Sequence, residues 1–403
     1  MSFIKKYWFT ISIIFSLAIG SLLGLFASDN FISNIKPFGD LFVNLMFTLV
    51  VPLVFFTITS SIASLSKNIK LSNILTKTIL VFFVTSFISA LFMLVIMLFI
   101  KPVNGIINID ETTINEKANI LSKIVSAISV NDFYSLLSKG NMLALIVFSI
   151  LFGISLRSID KEGKVSHILS ITSKTILNCV KIVMYYAPIG ICAYFATLIN
   201  SFGGTLIESY LRSLVIYIIV AIVFFIIFYT LYAYVAKGKE GIRLFYQNIL
   251  PSFTTSLATQ SSLASLPTNL ETSKKMKINE SVASLSLPLA SSIHMEGSVI
   301  ASILKIFFLF AIFKMNDLTL INYISAILIA VFSGVVMSGV PGGGLIGEML
   351  IVSLYGFPPS AFTMIATIGW LVDAPATMLN VCGDLPSAML IEKFTNKKAK
   401  SSS

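Results

Sequence analysis

Glu296, Asp373 and Asp384 stand in apolar surroundings in the last third of the sequence. None has a lysine or arginine within one helical turn. Asp373 and Asp384 lie well inside the apolar run from Ala361 to Ile391. Their spacing of eleven is close to three helical turns, so a helix carries both on one face, with Asn380 beside them. A charge at that depth in a membrane costs about 2.5–3.5 kcal/mol even on lenient insertion scales. A cation, a ligand ammonium or a proton offsets that cost. A span-end charge that reaches the interface is the bland alternative, and the depth of Asp373 and Asp384 argues against it.

Two interrupted segments supply neutral partners for those charges. One is Ser/Thr-rich, from Pro251 to Pro267, with Ser261 and Ser262 near its middle. The other is Ser338-Gly-Val-Pro-Gly-Gly-Gly344, between two apolar half-lengths. Non-helical backbone at membrane depth survives only where it lines a protein interior or a watery cavity. There its N–H groups hold a carboxylate and its C=O groups a hard cation. Pro341 with Gly342, Gly343 and Gly344 makes a tip that permits close backbone approach. Either segment alone also reads as a helix-packing motif. Two of them in corresponding positions, each followed by an acid-bearing helix, match a transporter site built on repeats. The acids do not recur in a ring-forming pattern, which disfavours a channel.

Composition sets the solvent in which these elements sit. Of 403 residues, 56% are hydrophobic and only 11% charged, too few charges to cover a water-exposed surface of that size. Disorder, a disulfide scaffold and an ordinary cytosolic enzyme are excluded. Three scattered cysteines and two histidines build no Cys/His metal cluster. The class is an all-α polytopic membrane protein embedded in a lipid bilayer, and its net charge of +10 reflects loop placement rather than nucleic acid.

Apolar runs at roughly 8–27, 41–64, 75–100, 136–156, 170–200, 211–236, 281–312 and 360–392 are each near or above the ~20 residues a span needs. The first reads as a retained transmembrane helix rather than a signal peptide, since another apolar run follows almost at once. With the N-terminus inside, about 18 of the 28 basic residues fall in inner segments, from Lys5 and Lys6 to the tail of Lys393, Lys397, Lys398 and Lys400. Parity holds only if both interrupted segments enter and leave on one face. The expectation is eight transmembrane helices plus two re-entrant hairpins, with both termini cytoplasmic.

Four motifs in order carry a resemblance: Thr259-Gln-Ser-Ser-Leu-Ala-Ser-Leu-Pro267, Leu287-Pro-Leu-Ala-Ser-Ser-Ile-His-Met-Glu-Gly-Ser298, the Gly-rich Ser338–Gly344, and Asp373-Ala-Pro-Ala-Thr-Met-Leu-Asn-Val-Cys-Gly-Asp384. The chain resembles the dicarboxylate/amino-acid:cation symporters over nearly its whole length. That resemblance implies inverted repeats, a homotrimer in the plasma (inner) membrane, and an elevator-type transport cycle. Scaffold helices would occupy 1–70 and 103–204, and the moving domain 71–102 with 205–403. It implies a small amino-acid substrate held by Ser261, Ser262, Ser298, Gly342, Asp373, Ala376, Thr377 and Asn380, with Asp373 on the ammonium. Sodium would be held by Asp384 with Ala290, His294 and Asn380. A second ion would use Ser292, Met295 and the Gly-rich hairpin, and a third Thr85, Ser86, His294 and Glu296. No organic cofactor is implied.

Three departures qualify the match. Acidic-substrate members carry an arginine where this chain has Ala376, and prokaryotic members one where it has Gln260. A second substrate carboxylate would then lack a bidentate partner, so a neutral amino acid is expected over glutamate or aspartate. The family's Asn-Met-Asp-Gly-Thr reads His294-Met-Glu-Gly-Ser298. A proton carried on His294 or Glu296 in place of one sodium is one reading; an imidazole filling the Asn space and bonded to Glu296 is the other. An enzyme with Ser261 or Ser262 as nucleophile lacks a plausible base.

Overall fold

The computed structural model describes residues 2–63, 69–103, 129–138, 141–315, 318–336 and 344–400. Its elements are helical: α1 (Ser2–Phe26), α2 (Asp29–Ala63), α3 (Ile69–Phe99), α4 (Phe133–Leu136), α5 (Met142–Ile159) and α6 (Lys164–Phe202). Next, α7 (Gly204–Phe224) runs through a π-turn at Phe225–Tyr229 into α8 (Thr230–Asn248). The rest are α9 (Leu250–Thr259), α10 (Ser262–Lys275), α11 (Glu280–Ile293), α12 (Glu296–Ile312), α13 (Leu320–Val336), α14 (Gly344–Tyr355) and α15 (Pro359–Lys400). Among the described residues four stretches are long and apolar enough to cross a membrane: 74–99, 206–248, 280–312 and 360–395. Shorter apolar helices occupy 15–26, 51–60, 144–159 and 320–335. The protein is an all-helical membrane protein.

Two compact units divide the chain: Met1–Leu65, Asn104–Leu211 and Glu348–Thr367 form one, and Ser66–Val103, Arg212–Gly347 and Ile368–Ser403 the other. In the first, α2 packs along α6, and α1 and α5 pack on this pair. Small residues set the spacing, as expected where lipid supplies no hydrophobic drive. A Cβ on Gly190 would lie 2.3 Å from Phe42 Cβ, so only glycine fits there.

The second unit holds the polar core. Its α3, α11, α12 and α13 pack on one another, and α9 on α10. The Ser/Thr-rich segment is two short helices joined at Gln260, which takes a left-handed φ of 49°, and at Ser261. The Ser261 hydroxyl accepts from Ala264 N–H at 3.3 Å and starts α10. The apolar run 281–312, expected as one ordinary span, breaks at His294 and Met295. The run expected at 211–236 extends to Asn248, with non-helical dihedrals at Lys237 and Gly238. The Gly-rich tip 337–343, including Gly342, lies outside the described residues.

Candidate functional site

The break between α11 and α12 leaves backbone groups that the helices cannot satisfy themselves. Met295 precedes α12 and offers no side-chain cap. Asn380, from α15, supplies one: its Oδ1 accepts from Gly297 N–H at 2.8 Å and Ser298 N–H at 3.2 Å. Its Nδ2 donates to Ser298 Oγ at 3.0 Å, which leaves one amide hydrogen for a ligand. The carbonyl of Gly297 accepts from the Tyr217 hydroxyl at 2.8 Å, and that of Leu379 from Tyr229 at 2.6 Å. The start of α12 and the middle of α15 are thus tied by tyrosines from α7 and the π-turn.

His294 closes α11, its N–H bonded to the Ala290 carbonyl at 2.9 Å. Its ring is fully buried and stacks on Phe82 with centroids 4.4 Å apart. Nδ1 lies 2.9 Å from Asp384 Oδ1, and Nε2 lies 2.9 Å from Thr85 Oγ1. Beside an ionised carboxylate Nδ1 is the donor, and a neutral ring then leaves Nε2 as an acceptor for the Thr85 hydroxyl, whose one hydrogen the Phe82 carbonyl at 3.3 Å competes for. Glu296 stands 3.9 Å from Nε2, too far for a hydrogen bond, so the imidazole's partner is Asp384 rather than Glu296. Asn269, from α10, holds the Val381 carbonyl at 2.9 Å and approaches the second oxygen of Asp384 at 3.5 Å.

Among the described residues neither oxygen of the fully buried Glu296 meets hydrogen-bond geometry, and the hydroxyls of Tyr229, Tyr232 and Thr85 are its neighbours. Gly383 makes room for it: a Cβ there would fall 2.2 Å from Glu296 Oε2. Gly297 likewise lets α12 close on α15, where a Cβ would fall 2.3 Å from the Ala376 carbonyl. A buried carboxylate beside hydroxyls offers oxygen donors, which suit a hard cation rather than a soft metal.

Of the residues singled out from sequence, Thr85, His294 and Asp384 are joined by hydrogen bonds, Asn380 and Ser298 by another, and Glu296 lies 3.9 Å from His294 Nε2. Ser86 is buried beside Thr85, and Met295 is buried at the break; Ser292 is half-buried in the last turn of α11. Asp373 is half-buried, seven residues before Asn380 on the same helix, and Ala376 and Thr377 are buried between them. Ser261 and Ser262 are buried at the α9–α10 turn, where the hydroxyl of Ser261 serves its own helix. Sequence reasoning missed Asn269, Phe82, Tyr217 and Tyr229. The tyrosines sit in a run that reads as lipid-facing, and no spacing marks them as polar ties.

The Sodium:dicarboxylate symporter family model matches residues 9–394. The chain belongs to that family. It is therefore a membrane transporter and not an enzyme. Among relatives of this family is the "Proton/sodium-glutamate symport protein" of Geobacillus stearothermophilus, 26% identical, which aligns over 95% of this chain and 94% of its own. The protein of the same name in Bacillus subtilis (strain 168) is 26% identical over 96% and 93%. A "Proton/glutamate-aspartate symporter" of that strain is 26% identical over 95% and 94%.

Proposed function

We propose that this chain is a secondary active symporter that couples inward movement of sodium, or of protons, to uptake of a small amino acid. The observation that carries it is the buried cluster at the α11–α12 break, where Glu296 is buried beside hydroxyls and Asp384 is braced by His294 and Asn269. Such carboxylates persist in a membrane core when a travelling cation compensates them. In this reading Asp384 and Glu296 hold coupling ions, with Thr85, Ser86, Ser292, the carbonyl of Ala290 and the region of Met295 as neutral ligands. Asp373 holds the substrate ammonium. The free Nδ2 hydrogen of Asn380 and the Ser261–Ser262 turn hold its α-carboxylate, with Ser298, Thr377 and the Gly342 tip around it. Transport proceeds by an elevator movement within a homotrimer, both termini cytoplasmic.

An acidic amino acid is the first reading of the substrate, supported by relatives named for glutamate and aspartate that cover most of the chain. A neutral amino acid is the second, favoured by Ala376 and Gln260 in place of guanidinium groups. A substrate panel in proteoliposomes, with and without a sodium gradient, tests both. Gradient-dependent uptake of glutamate or aspartate over serine, alanine, cysteine or cystine is expected; the reverse preference establishes the second reading. Uptake indifferent to sodium and proton gradients alike overturns symport itself.

A further inference from the structure

Lys305 is the one basic residue of α12 and is only 3% exposed. Apart from Ser302, every other residue from Val299 to Ile312 is apolar. Ser298, Ser302 and Lys305 fall at i, i+4 and i+7, so they share one face of the helix. That face belongs to the candidate site: Asn380 Nδ2 donates to Ser298 Oγ at 3.0 Å, and Ser302 Oγ donates to the Ser298 carbonyl at 2.9 Å.

Two contacts fix the level that Lys305 reaches on α15. Asn279 N–H donates to Glu392 at 3.2 Å, while Gly297 closes on Ala376 and Leu379. As α11 and α12 ascend, α15 therefore descends, at about one residue for one. Lys305 lies eight residues past Gly297, which sets its Cα about 12 Å beyond the Gly297–Ala376 contact, near residues 369–370 of α15. Helical side chains lean toward the N-terminus, and a four-carbon stem carries its head back by about a turn. The head group thus comes level with the stretch from Asp373 to Ala376.

We infer that Lys305 is a specificity-determining residue whose ammonium receives the side-chain carboxylate of an acidic amino-acid substrate, in place of the guanidinium absent at Ala376 and Gln260. The inference rests on the acidic reading of the substrate. In this inference a substrate with ammonium on Asp373 and α-carboxylate at Asn380 extends its side chain along α12, toward the Ser302–Lys305 end. The desolvation of a buried ammonium is offset most strongly by an anion that faces it with good geometry. The arriving carboxylate adds a charge-assisted bond to the contacts Lys305 already makes.

The test is uptake of L-glutamate, L-aspartate and L-serine by the full chain in proteoliposomes under a sodium gradient. Lys305→Met should raise the KM for both acidic amino acids by at least about tenfold, the effect of one charge-assisted contact. Adding Ala376→Arg to Lys305→Met should restore acidic uptake, which a packing role for Lys305 does not allow. An acidic KM within about twofold of the unmodified protein in Lys305→Met overturns the inference and leaves the acidic reading intact. A Lys305→Met protein that is lost from the membrane and not restored by Ala376→Arg also overturns it. Unmodified protein that takes up serine and neither acid sinks the acidic reading, and the inference with it, before any variant is made.

Discussion

In the proposed function two demands meet at Asp384: the carboxylate accepts a bond from His294 Nδ1 at 2.9 Å, and it carries the charge that attracts an ion. Asp384→Asn separates them. The amide oxygen still accepts from His294, while the charge is gone. Sodium affinity should therefore fall by at least about tenfold, the scale seen when groups that hold a metal are altered. Thermal stability without sodium should change little. The measurement is the sodium concentration that gives half-maximal thermal shift, in Asp384→Asn against the unmodified chain. A large loss of stability with unchanged sodium response would mean that Asp384 only anchors His294. Residues such as Asp384, Asn380 and Glu296 were legible in the sequence because polar groups in an apolar span carry a cost that demands a reason. Asn269 and Tyr217 were not, because an amide in a Ser/Thr-rich hairpin and a phenol in an aromatic run have ordinary explanations. Lys305 shows a third case: sequence reasoning found no basic residue in the last two spanning helices to replace the missing guanidinium, because the level Lys305 reaches follows only from the contacts of α12 with α15.

The elements show the same division between what hydropathy displays and what it hides. Serine clusters and proline–glycine runs mark interrupted segments, and α9–α10 turns at Gln260 within one of them. The break at His294–Met295 leaves hydropathy high on both sides, so a window average passes over it. Its consequence is a tight junction of α12 with α15 at Gly297. Gly297→Val places a Cβ where the Ala376 carbonyl now sits, and overpacking of this kind costs about 1–3 kcal/mol. Asn380 would then lose its two amide donors, so the variant should show both a lower melting temperature and lost substrate response. Normal melting with normal uptake would show that the two helices can part without consequence. At the start of α6 the logic is local. Asp160 accepts from the Ser166 N–H and hydroxyl, each at 2.8 Å. The Ser166 amide holds the Asp160 carboxyl below its ordinary value of 3.8. A lowered folded value means that the stabilisation is complete above the unfolded chain's titration and fades as pH falls through the folded one. Hydrogen exchange at Ser166, corrected for its intrinsic pH dependence, should therefore quicken below about pH 4 and quicken at neutral pH in Asp160→Asn.

At the scale of the whole molecule the question is energetic: a symporter converts one gradient into another, and the conversion ratio counts the coupled ions. Each tenfold cation gradient is worth about 1.4 kcal/mol per ion, and each net charge moved adds about 2.3 kcal/mol per 100 mV. In proteoliposomes clamped at zero potential, one coupled sodium limits substrate accumulation to about tenfold for a tenfold gradient, and two ions raise the limit to about a hundredfold. The candidate site offers two separate buried carboxylates, Asp384 and Glu296, and so predicts an accumulation limit that rises with at least the square of the sodium ratio. Glu296→Gln removes one of the two charges and should lower that exponent by one while leaving the substrate recognition proposed for Asp373 in place. The measurement is the accumulated substrate ratio at several imposed sodium ratios, read as the slope of a logarithmic plot. A slope that stays the same in Glu296→Gln takes this carboxylate out of the coupling. If the slope vanishes for sodium and appears for protons at the same clamped potential, the travelling charge is the proton, and the carboxylates serve it instead.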